Sequence, residues 1–140
     1  MSIKFVDQFH RKIYEILSGN KNIRSQVQSI YLSVNQDGKY PSILIDITKV
    51  NSLGRNEDFI YEIEFEICIF ARERNKGALL SIANEISGCL TPENCGFQQY
   101  LVAGLKVKSI EFEKAEGMVL DKLTMNYQSL IKKISAYEFS

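Results

Sequence analysis

FIYEIEFEICIF, residues 59–70, alternates apolar and polar side chains almost without interruption. Phe59, Tyr61, Ile63, Phe65, Ile67 and Ile69 fall on one side of this stretch, and Glu62, Glu64 and Glu66 fall on the other. A period of two marks a half-buried β-strand, because successive side chains leave the pleated backbone on opposite faces. One face must meet a core while the other stays wet. Antiparallel sheets tolerate that division, whereas parallel sheets are covered on both sides.

Working outward, SILIDITKV (42–50) reads as the preceding strand, and the polar NSLGRNED (51–58), with Gly54, reads as the link of a long hairpin. Upstream, QVQSIYLSV (26–34) suggests a short strand, followed by a loop marked by Asp37-Gly38 and Pro41. Downstream, LKVKSIEFE (105–113) and VLDKLTMNYQSLIKKI (119–134) supply two more strands around a turn at KAEGM (114–118). Leu105 and Val107 are odd-numbered while Ile110 and Phe112 are even, so a β-bulge between Ser109 and Ile110 would restore a single buried face. In the last strand Leu123, Met125 and Tyr127 alternate with Thr124, Asn126 and Gln128.

Two segments carry helical spacing instead. IKFVDQFHRKIYEILS (3–18) sets Val6, Phe9, Ile13, Ile16 and Leu17 along one stripe and stops at Gly19-Asn20. KGALLSIANEISGCL (76–90) aligns Leu79, Ile82, Ala83, Ile86 and Leu90, with Asn75 as the expected N-cap and Pro92 beyond the end. TPENCGFQQY (91–100) reads as loop. The order α-β-β-β-α-β-β predicts an α+β fold: an antiparallel sheet of four to five strands with two α-helices packed on one face. No repeat, linker or low-complexity tract divides the chain, so a single domain over residues 1–140 is expected.

Of the 140 residues, 45% are hydrophobic, and seventeen basic residues balance seventeen acidic ones. A chain of this length buries roughly 68% of its unfolded surface and needs no staple. Its neutrality leaves no global field to attract nucleic acid or an anionic membrane. Cys68, Cys89 and Cys95 form no CxxC spacing and suit a reducing compartment. A leader-like segment and an apolar run of eighteen residues are both missing, so a soluble, non-exported protein without membrane contact is expected.

Catalytic chemistry finds little support. The single histidine, His10, lies among Gln8, Arg11 and Lys12 and reads as surface. Cys89 and Cys95, six apart, lack a second ligand pair at zinc spacing, and neither Gly54 nor Gly77 belongs to a phosphate-binding loop. RKIYE, ARERNK and LIKK are short basic clusters that read as solvated surface or helix-end charge. The expectation is a non-enzymatic protein without metal or cofactor. Scattered carboxylates such as Asp46 and Glu111 are all that a hydrolytic or small-molecule-binding domain could draw on.

Glu62, Glu64 and Glu66 repeat every ~6.7 Å along the strand, within the ~8 Å screening length of physiological salt, so they repel one another. Two readings stay open. They lie on the solvated face of the sheet, with Lys106 and Lys108 as cross-strand partners, or they line a surface that must not hold polyanions.

Taken in order, the pieces resemble the tail-terminator, or tail-completion (head–tail joining), proteins of long-tailed bacteriophages and their gene-transfer-agent relatives. The resemblance spans most of the chain. Its carriers are the N-terminal amphipathic helix, GKYPSILIDI (38–47), EIEFEICIFARERNKGALLSIANEISGCL (62–90) and the alternating KLTMNYQSLIKK (122–133). FARE stands where many members carry a tryptophan, and the 51–58 loop differs in length and composition among them.

The resemblance implies a structural virion protein of the tail, assembled in the bacterial cytoplasm, which caps the tail tube, ends its polymerisation and joins it to the head connector. It further implies a hexameric ring whose partners are the tail tube protein, the connector or stopper, and DNA that passes without specific binding. On that reading Glu62, Glu64 and Glu66 are candidate channel-facing residues. Asn51, Ser52, Leu53, Arg55, Asn56, Glu57 and Asp58 are the candidate interface loop, since loops on a rigid sheet commonly carry contacts. Another head–tail connector or a minor capsid adaptor of a phage or prophage is the alternative.

Overall fold

A computed structural model of the chain describes residues 3–33, 38–54, 59–72, 75–114 and 120–134. Along the chain run α1 (Lys4–Ser18), α2 (Lys21–Arg24), β1 (Ser29–Tyr31), β2 (Ser42–Ser52), β3 (Ile60–Arg72), α3 (Lys76–Cys89), α4 (Pro92–Cys95), β4 (Tyr100–Lys114) and β5 (Leu120–Lys133). This is the expected α+β order, with two one-turn helices added: α2 just after the stop at Gly19-Asn20, and α4 in the segment that reads as loop.

The strands form one sheet in the order β1-β2-β3-β5-β4. The four long strands are antiparallel to their neighbours, while β1 runs parallel to β2 through Ser29↔Ser42, Ile30↔Ile43 and Tyr31↔Leu44. The sheet is therefore mixed at that edge, and the 26–34 segment contributes only three residues to it. Opposite Ile69 stand Ile43 and Leu123, and opposite Phe65 stand Ile47 and Tyr127, which makes β3 the centre of an apolar face. That face is covered by helices. Phe5, Phe9, Ile13 and Leu17 of α1 and Leu79, Ile82, Ala83 and Ile86 of α3 are buried at i, i+3 and i+4 spacings. Phe9 meets Phe65 edge-on, with ring centroids 5.5 Å apart, and Phe65 stacks on Tyr127 at 4.9 Å. Offset and edge contacts of this kind add about 0.5–1.5 kcal/mol each beyond area burial.

Helix ends differ from expectation in one respect. Asn75 makes no side-chain cap to α3: its backbone angles (φ −113°, ψ 48°) leave the extended region that aims a capping oxygen at the first turn. Asn20, read as part of a stop, caps α2 instead, its Oδ1 accepting from the Ile23 amide at 3.0 Å.

The phase change in β4 corresponds to a register shift between Val107 and Ser109, one to two residues before the expected bulge, and a second shift lies between Val102 and Gly104. The bulge does realign Ile110 and Phe112 with the core face, since their partners are Met125 and Leu123. It does not bury them: α3 packs chiefly on β3 and β5, and Val107, Ile110 and Phe112 stay partly solvated. The hairpin link is also shorter than 51–58. Asn51 and Ser52 continue β2, paired with Glu62 and Tyr61, and Leu53 N donates to Ile60 O at 2.9 Å.

Candidate functional site on the polar sheet face

The face of the sheet away from the helices is built by the second phase of each strand. Pairing sets Asp46, Glu66, Asn126 and Ser109 on one rung, and Lys49, Glu64, Gln128 and Lys106 on the next. A third rung joins Asn51, Glu62 and Leu130. Because β3 is flanked on both sides, its three carboxylates run along the middle of this face and each has polar neighbours within reach.

Their partners divide the load unequally. Glu62 accepts from Gln128 Nε2 at 2.6 Å and from Asn51 Nδ2 at 3.4 Å. Glu64 accepts from Lys108 Nζ at 2.9 Å, across β5. That hydrogen bond holds the Glu64 carboxyl below the usual carboxylate range and raises the Lys108 ammonium above its own. Of the two lysines expected to pair, Lys108 does so, and Lys106 makes no ion pair among the described residues. Among the described residues the hydrogen-bond partner of Glu66 is the weak Cys68 thiol, at 3.9 Å from its Oε2. Asn126 Nδ2 donates to Ser109 Oγ at 2.9 Å, and Lys122 joins Glu113 at 3.2 Å while lying 5.7 Å from the Phe70 ring centre. Acids thus lead along β3, while Lys106 and Lys108 stand at the middle of β4. A shallow depression bordered by Thr48, Glu64, Lys108, Ser109 and Asn126 opens at the junction.

These contacts explain how like charges can be lined up. Glu62 is held by amide donors and Glu64 by an ammonium, so the repulsion expected from ~6.7 Å spacing is offset locally. Gln128, Asn126 and Thr124 were legible as the polar phase of the last strand. Asn51 was not, because the hairpin link was expected to begin there.

Of the candidate interface loop, Asn51 and Ser52 belong to β2, Leu53 is exposed, and Arg55, Asn56, Glu57 and Asp58 lie outside the described residues. His10 is not free surface: it is half-buried, with Nε2 2.7 Å from the Ile45 carbonyl of β2. The thiols of Cys68, Cys89 and Cys95 are all pushed up by burial, Cys95 to about 11, which keeps them protonated at neutral pH. Asp46 and Glu111 sit one rung apart on strands separated by two others rather than converging.

No protein-family model and no curated protein matches the sequence. Among solved structures, a chain of the virion of a native gene transfer agent particle superposes with a TM-score of 0.71 at 11% identity, over 88% of this chain and 93% of that one. The gp17 protein of bacteriophage SPP1 superposes with a TM-score of 0.56 at 14% identity, over 91% of this chain and 89% of that one. The fold is thus shared, over most of its length, with a component of a gene-transfer-agent virion and with a bacteriophage protein, in keeping with the resemblance carried by the ordered pieces of the sequence.

Proposed function

We propose that this chain is a structural protein of a phage-like tail: a hexameric ring that caps the tail tube, ends its growth and offers the surface on which the head connector docks. The supporting observation is the fold shared, over most of both chains, with a chain of a gene-transfer-agent virion and with a bacteriophage protein, joined to a sheet that carries Glu62, Glu64 and Glu66 in line on its polar face. The role is architectural rather than catalytic, and assembly takes place in the bacterial cytoplasm before the particle is released.

In such a ring the polar sheet face is the wall that DNA passes. Six copies of Glu62, Glu64 and Glu66 would repel phosphate, while Lys108, bound to Glu64, adds no free positive charge. The β2–β3 hairpin end, with Leu53 and the segment 55–58, meets the tube or the connector. Purified protein added to polymerising tail tubes of the same particle tests the role directly. Immunogold label confined to one tube end, with tube length falling as protein is added, is the expected result; label along the tube wall, or none, rejects it.

A further inference from the structure

Two opposite sides of the molecule each combine an open strand edge with apolar side chains that the chain's own fold leaves uncovered. β4 has no neighbour beyond β5 among the described residues. Val107, Ile110 and Phe112 lie on the core phase of that strand, opposite Tyr127, Met125 and Leu123, yet are 37%, 48% and 47% exposed. Lys76 and Leu79, at the start of α3, line a shallow depression with Phe112, and the adjoining Leu80 is 53% exposed. Glu85 of α3 is directed at α2 by Asn22 (3.5 Å), and Leu80, roughly 140° further round the helix, lies on the flank away from α2.

The other side is its counterpart. β1 covers only Ser42–Leu44 of β2, so from Ile45 to Ser52 that strand has no partner on its outer side among the described residues. His10 reaches this edge from α1. Tyr14, one turn later, and Ile3, two turns earlier, share its flank and are 37% and 64% exposed.

We propose that these sides are the two halves of one self-contact, in which β4 and the α3 flank of one copy receive β2 and the α1 flank of the next. The proposal rests on the ring reading above and names the surfaces that would close it. Two different patches per subunit make the contact head-to-tail, as a ring requires. Direction is compatible as well: β2, β3, β5 and β4 alternate, so β2 and β4 run oppositely. A copy rotated about an axis roughly along the strands then brings its β2 antiparallel to β4. Charge selects the register: with the rungs level Lys106 would face Lys49 of the incoming β2, and a slide of one rung, as a tilt of the strands to the axis gives, sets it beside Asp46 instead. The bulges and lysines of β4, and the His10 cap on Ile45, discourage indiscriminate edge pairing, which leaves the choice of partner to the apolar flanks.

Sedimentation of the wild-type chain up to about 1 mM, beside Ile110→Asp and Tyr14→Glu, tests this. Each substitution alters a surface position on a different half. Wild type should self-associate, each variant alone should raise the dissociation constant roughly 30-fold or more, and an equimolar mixture of the two should form a one-to-one heterodimer, because each retains one intact half. Leu80→Glu replaces Ile110→Asp should that variant not melt cooperatively. A wild type that stays monomeric at 1 mM overturns the proposal, as does a mixture without heterodimer. So does loss of association in Ile110→Asp but not in Tyr14→Glu, the mark of a two-fold β4–β4 contact. Tube ends bound by a chain that fails these tests would leave the capping role standing without this contact, whereas a ring that ignores tube ends would do the reverse.

Discussion

Tyr127 carries a cost inside an otherwise favourable contact. Its ring stacks on Phe65, but its hydroxyl is buried with no hydrogen-bond partner among the described residues, and burial holds the phenol in its protonated form. An unsatisfied buried hydroxyl costs about 1–3 kcal/mol, so Tyr127→Phe should keep the stack and stabilise the fold by about 1 kcal/mol, raising the melting temperature by about 3 °C. Differential scanning calorimetry checks this, and a lower melting temperature would mean the hydroxyl is satisfied in solution. The same burial has a pH consequence. Cys95 is shifted from 9.0 to about 11 and Tyr127 upward from 10.0, so the stability these groups contribute is full below their ordinary values. It is lost as the pH rises from about 9 through 11 and beyond, and alkaline unfolding should therefore begin later in Tyr127→Phe than in wild type. Phe9, fully buried between Phe65 and Phe97, shows the opposite balance: Phe9→Ala should cost about 3–5 kcal/mol in denaturant unfolding, because the cavity is walled by a rigid sheet.

Along the strands, the Glu64–Lys108 bond ties β3 to β4 across β5, and its electrostatics set a window. Glu64 is lowered from 4.5 by its hydrogen bond to Lys108, so the stability it contributes is present above 4.5 and disappears as the pH falls through the folded value. Lys108, raised from 10.5 by the same bond, contributes below 10.5 and loses that contribution as the pH rises through its folded value. Lys108→Ala should thus lower the melting temperature at pH 7 more than Lys106→Ala does, and the difference should vanish in strong acid; equal effects at pH 7 would show that the bond does not form in solution. How far this was legible varies with the element. β3 and β5 could be read because each is buried on one face and polar on the other, so chemistry and geometry share one period. β1 could not be read to its true length or direction, since three residues pairing in parallel leave too short a pattern. The bulge in β4 announced itself through the phase of Ile110 and Phe112, but their exposure did not: whether a core-phase residue is covered depends on where α3 ends in space. Asn51 and Ser52 were assigned to a loop on composition, though backbone pairing with Glu62 and Tyr61 carries them into the strand.

At the scale of the whole molecule, a sheet greasy under its helices and polar on its reverse offers a ring one natural inner surface. The three β3 carboxylates are not equivalent there. Glu62 and Glu64 are held by strong donors, and Glu66, among the described residues, is bonded by a weak thiol. Replacing all three by Lys would break the Lys108 bond as well as reverse the wall, so a loss of delivery could come from either change. The triple Gln variant separates the two effects: it removes three charges per subunit while retaining side-chain length and the capacity to accept from Gln128, Asn51 and Lys108. If six copies of this face line the DNA path, particles carrying the Gln variant should assemble with normal tail length and intermediate delivery, and those carrying the Lys variant should deliver DNA at least about tenfold less. Phosphate contact weakens with counterions, so added salt should restore part of the Lys variant's loss. Particle titre measured against physical particle number, across a salt series, reads this out. Delivery that is unchanged in both variants, with tails of normal length, would assign the carboxylates to the solvated outside of the ring.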